Sequence, residues 1–130
     1  MTRVAILALL LCLLVASCGG GNSTPTTPSN PSNPYTFTLS SGGVTPKDLS
    51  VPPGTQVLFV NNDSRSHDMA SDDHPDHMLC RELNIGLLQP GQSRETLNLV
   101  ATKTCGFHDH NIPPPTTQLG NIWTGRIVIR

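Results

Sequence analysis

From residue 35 to the end of the chain, no apolar stripe of helical spacing survives the prolines and glycines that punctuate it. The 130 residues contain 12 prolines and 11 glycines, and their placement cuts this part into short segments. Tyr35 to Ser40 alternates large and small side chains and predicts a first strand. Leu49 and Val51 predict a second, short one. Pro52-Pro53-Gly54 then demands a turn, and Gln56 to Asn61 predicts the strand that follows. The same grammar returns later. Pro90-Gly91 marks a turn, alternation runs through Thr96, Leu97, Asn98 and Leu99, and Thr124 to Arg130 reads as a β-branched closing strand. The segment from His77 to Leu83 has room for one helical turn. The fold class expected is all-β, a sandwich or small barrel.

The N-terminus sets the compartment. Arg3 precedes an apolar run from Val4 to Ala16, which is too short to span a bilayer and has the length of a signal-peptide core. The run ends in Val15-Ala16-Ser17-Cys18, which resembles a bacterial lipobox. That resemblance implies cleavage before Cys18 and a lipid on its thiol, with residues 1–17 removed as the signal and Cys12 lost with them. Residues 18–34 lack charge and large apolar side chains, so they cannot bury enough surface to offset chain entropy; they read as an extended tether. The folded domain expected is 35–130, about 95 residues, long enough for a modest core. The protein is thus placed in the bacterial cell envelope, anchored to a membrane by lipid. A net charge of −1 without a basic patch argues against nucleic acid. Two cysteines remain in the domain, Cys80 and Cys105. In an oxidising compartment such a pair is a disulfide candidate.

Three segments carry a resemblance. Leu49 to His67, with its Pro/Gly turn and a strand ending in Asn61-Asn62, resembles the cupredoxin segment that leads to a first copper histidine, here His67. Leu87 to Leu99 resembles the Pro-Gly hairpin of that family. Cys105-Gly106-Phe107-His108, followed by Thr124 to Arg130, resembles its Cys-x-x-His ligand loop and closing strand. The resemblance implies a cupredoxin-like Greek-key β-sandwich or barrel with copper held by His67, Cys105 and His108, and His110 as a further donor. One thiolate and two imidazoles in a near-trigonal set suit a blue copper site. Cys105 and His108 are three positions apart, so on one continuous strand they point to opposite faces. They share an ion only if the chain turns just after Cys105, which Gly106 permits. The methionine expected as axial ligand is missing; Gln118 is a conceivable oxygen donor in its place.

A second cluster lies upstream: Met69, His74, His77 and Met78, interleaved with aspartates and followed by Cys80. Thioethers and imidazoles suit copper, and imidazoles suit zinc as well. Two readings of Cys105 stand side by side. As a thiolate it supports one-electron transfer with a redox partner. Bonded to Cys80 it leaves a histidine- and methionine-based type 2-like site in a module that handles copper for trafficking or tolerance, or a fold without metal. His108 and His110, two apart, face one side on an extended chain. The stretch Gly106 to His110 also resembles copper–zinc superoxide dismutases, but no histidine follows His110, and the enzyme reading is rejected.

Overall fold

A computed structural model describes residues 32–112 and 122–130. The segment expected as a signal, Cys18 and Gln118 lie outside the described residues. Nine strands appear in chain order: β1 Thr36–Ser40, β2 Gly43–Thr45, β3 Asp48–Val51, β4 Leu58–Asn61, β5 His67–Ser71, β6 Gly86–Leu88, β7 Ser93–Glu95, β8 Thr104–Asp109 and β9 Thr124–Ile129. A 3-10 turn, Arg81–Leu83, lies between β5 and β6.

The strands form two mixed sheets, β2-β1-β4-β7 and β3-β9-β8-β5-β6. β1 runs parallel to β4, and β3 parallel to β9. The expected turns hold: Gly54 and Gly91 both sit at positive φ, 86° and 77°, where a side chain would be strained. The alternation from Thr96 to Leu99 does not extend a strand. The ladder there is β7, three residues upstream, and Leu99 makes only an isolated bridge to Thr55. The folded unit starts at Ser32. Asn33 belongs to it, donating from its side chain to the Gln56 carbonyl and to Glu95.

The core lies between the sheets. Phe37 and Phe59 come from one sheet and Phe107 from the other, with ring centroids 4.8–5.1 Å apart. Leu39, Val57, Met69, Leu88, Ile127 and Trp123 are buried around them. Period-two alternation then decides the placement of every residue on β8. Cys105 and Phe107 enter the core. Gly106 and His108 face the opposite side of the five-stranded sheet, where the segment between β5 and β6 folds back over them.

Candidate metal centre

β8 is continuous from Thr104 to Asp109. The chain does not turn after Cys105, so the expected convergence of Cys105 with His108 does not occur. Cys105 is bonded to Cys80 instead, with Cα atoms 5.8 Å apart, inside the usual disulfide range of about 4.4–6.8 Å. A sulfur bound to sulfur is no thiolate, and Cys105 is not available as a metal ligand.

His67 is also unavailable. It is buried, with Nδ1 2.7 Å from Asp109 Oδ2 and Nε2 3.1 Å from Asp63 Oδ2. Each ring nitrogen is taken up by a carboxylate oxygen, so neither is open to a metal ion in this arrangement. The ring stacks on Trp123 at 4.1 Å, and the Arg65 guanidinium covers the indole at 5.3 Å. Asp109 further accepts from the amides of Asp68 and Asn111. Both ring nitrogens of His67 are thus partnered, while the Nε1 of the neighbouring Trp123 is buried without a hydrogen-bond partner. Met69, also expected near the metal, is a fully buried core side chain.

The Asp63 carboxyl is pushed upward by burial. The Ser64 amide, the His67 ring and the Arg65 guanidinium outweigh that push and hold it below its usual range. The stability this carboxylate contributes is complete above its ordinary value of 3.8 and is lost as pH falls through the lower folded value. Asp63→Asn is therefore expected to flatten the acid limb of the stability–pH curve below about pH 4, as read by thermal melts across that range.

The remaining histidines come together on the outer face. Nitrogen atoms of His74, His77 and His110 lie within 4.8 Å of one another. His108 lies beside this group and outside the 4.8 Å set, with its ring centroid 5.1 Å from His77, 5.9 Å from His74 and 6.3 Å from His110. His74 and His110 are exposed, His77 is half-buried and His108 is buried. The expectation that His108 and His110 share a side holds.

Local structure prepares two of these rings. His77 Nδ1 lies 2.6 Å from the Ser71 carbonyl oxygen, and His108 Nδ1 lies 3.0 Å from Asp72 Oδ1. Both partners accept, so each ring holds an N–H on Nδ1, and in the neutral ring Nε2 is the nitrogen that carries the lone pair. Those two Nε2 atoms are buried and have no hydrogen-bond partner. An orphaned buried nitrogen costs about 1–3 kcal/mol, and two occur in one cluster. A metal ligand held through its other nitrogen by a carboxylate or carbonyl has this arrangement.

The backbone at His77 is over-determined. The residue adopts φ 52°, in the left-handed region. Its amide donates to the Asp73 carbonyl at 2.7 Å, and its own carbonyl accepts from Asn84 Nδ2 at 2.9 Å. The Asn84 side-chain oxygen takes the Ser71 amide, and Ser71 Oγ takes the Cys80 amide. Strain of this kind, fixed by surrounding bonds, collects at functional positions. Sequence reasoning missed Ser71, Asp72 and Asn84. Only the parity of β8, with small Gly106 and Ala70 beside His108, carried a trace of them. Four carboxylates, Asp68, Asp72, Asp73 and Asp76, surround the histidines in the chain and favour an approaching cation. Met78 is exposed on the same segment.

No protein-family model matches the chain, and no curated protein matches it in sequence. Solved structures match it in space. A purple cupredoxin from Nitrosopumilus maritimus superposes with a TM-score of 0.55 at 17% identity, covering 74% of this chain and 99% of that one. The domain has the cupredoxin fold. A mutant fern plastocyanin gives 0.54 at 15% identity over 73% of this chain and 99% of its own. A copper-containing nitrite reductase from Thermus scotoductus gives 0.56 at 19% identity, matching 75% of this chain but 22% of that larger one. In this cupredoxin sandwich the disulfide occupies the position where the sequence resemblance implied a ligand thiolate. The histidine cluster lies outside the sheet that carries it.

Proposed function

We propose that this cupredoxin-like domain binds copper on His74, His77, His108 and His110, without a thiolate, as a lipid-tethered module of the bacterial cell envelope that handles copper. The observation that carries the reading is the pair of buried, unpartnered Nε2 atoms on His77 and His108 beside two further imidazoles. Imidazole donors suit copper and zinc alike, but first-row divalent metals bind nitrogen sites most tightly at copper(II). The bound metal would supply a cationic centre. The chain's own residues fix its neighbours: Ser71 and Asp72 hold two ring protons away from the centre, and the disulfide anchors both ligand-bearing segments. Cys18, as the lipidated residue, would tether the domain through the residues that precede Ser32. A membrane-held copper store or relay needs a copper-handling partner, and the acidic segment around Asp72, Asp73 and Asp76 fits a cation-delivering surface. The one-electron carrier built on His67, Cys105 and His108 is not retained, because the sulfur is in a disulfide and His67 is saturated by carboxylates.

Titrating copper(II) into the demetallated mature protein tests this. The expected result is uptake of one copper per chain, with weak visible bands and nitrogen-split electron paramagnetic resonance. An intense thiolate-to-copper charge-transfer band, or no uptake, overturns it.

A further inference from the structure

Asp72 lies in the loop after β5 and has no counterpart among the expected ligands, yet it touches β8 in three ways. Its amide donates to the Gly106 carbonyl at 2.9 Å. Its Oδ1 accepts from His108 Nδ1 at 3.0 Å. Its Oδ2 fills the space where a Cβ on Gly106 would stand; the two would overlap. Gly106 is in a regular strand, paired with Arg126 of β9, and it has no positive φ that would require glycine. Nothing in its backbone conformation excludes alanine. What a methyl group at 106 would displace is the carboxylate. The far side of Asp72 lines a cleft shared with Lys47, Asp48, Thr124, Gly125 and Arg126, so the side chain is half-open to solvent and not part of the core.

We infer that Asp72 is a positioning residue for the metal centre, and that Gly106 exists to seat it. This rests on the reading of the four histidines as a metal site. Accepting the Nδ1 proton fixes the tautomer of His108 and keeps the Nε2 lone pair exposed to the cluster. Without that carboxylate the proton is free to move to Nε2, and the ring turns from ligand to hydrogen-bond donor. A methyl group at 106 has the same consequence, since it evicts the carboxylate while touching no ligand.

The test uses the mature protein as wild type, Asp72→Ala, Asp72→Asn, Gly106→Ala and the Asp72→Ala/Gly106→Ala double variant. Two quantities are read: the His108 tautomer in the metal-free protein by nitrogen-15 resonance, and copper(II) affinity. The wild type should carry its proton on Nδ1. Asp72→Ala and Gly106→Ala should each lose that preference and weaken copper binding by about 10–100-fold, the usual cost of an outer partner. The double variant should be no worse than either single one, because both remove one contact. Asp72→Asn keeps an accepting oxygen and should recover the tautomer. Copper affinity within threefold of wild type in Asp72→Ala overturns the inference, as does an unchanged tautomer. Should Gly106→Ala not fold, the two Asp72 variants decide alone, since that side chain is 46% exposed. A wild type that shows the Nδ1 tautomer but binds no copper sinks the metal-site reading and this role with it. A wild type that binds copper regardless of Asp72 sinks only this role.

Discussion

His77→Gly is expected to lower copper affinity by more than about 100-fold, beyond the range for losing an outer partner, while lowering folding stability by no more than about 1 kcal/mol. The two effects separate because the residue serves the cluster against the interest of its own backbone. At φ 52° a histidine bears left-handed strain, worth roughly 1–2 kcal/mol. Glycine removes that strain, but its looser unfolded chain takes back about 0.4–1 kcal/mol. The lost bond from Nδ1 to the Ser71 carbonyl costs a further 0.5–1.5 kcal/mol or so. These terms nearly cancel, and removing the unpartnered Nε2 adds stability. The ligand loss has no such offset. Copper titration and a denaturant melt on the same sample check both halves. A variant that loses stability and affinity together would mark His77 as a structural residue.

Replacing Cys80 and Cys105 together by alanine is expected to destabilise the domain by about 3.5 kcal/mol, the loop-closure value for a separation of 25 residues. For a domain of this size that is a fall of roughly 15–25 °C in Tm. Alanine is the right substitute, because both sulfurs are fully buried and a serine hydroxyl there would be orphaned. The bond also bears on the site. Cys80 follows His77 by three residues, and Cys105 precedes His108 by three. The disulfide thus pins the segment carrying His74 and His77 to the strand that leads into His108 and His110. Copper affinity should fall in the double variant even at temperatures where it stays folded. A stable variant with unchanged affinity would show that the loop is held by Ser71 and Asn84 alone.

The strands that were legible in the sequence are those bounded by chemistry that dictates backbone. Pro52-Pro53-Gly54 and Pro90-Gly91 fix turns, and β1, β3, β4 and β9 follow from the alternation beside them. β5 was not expected as a strand: His67 to Ser71 include no β-branched residue, and pairing with β6 and β8 makes it one. The site was half legible. His74, His77, His108 and His110 were all singled out, but the sequence grouped the last two with Cys105 and His67. Parity along β8 carried the correct answer: a continuous strand sends 105 and 108 to opposite faces. Whether the chain bends at Gly106 is decided by β9 pairing and by the carboxylate of Asp72, thirty-four residues earlier in the chain. Such a long-range contact has no local signature. His67 misled for a similar reason: Asp63 lies only four residues before it, but Asp109 reaches its other nitrogen across the folded sheet.

The central claim is that copper sits outside the β-sandwich among four imidazoles and not at the sulfur of Cys105. A crystal structure of the copper-loaded protein, with anomalous data at the copper edge, tests it directly. The account predicts one peak about 2 Å from Nε2 of His77 and of His108, with His74 and His110 completing the set and the Cys80–Cys105 bond intact. A peak beside His67, or copper bonded to a reduced Cys105, would contradict it.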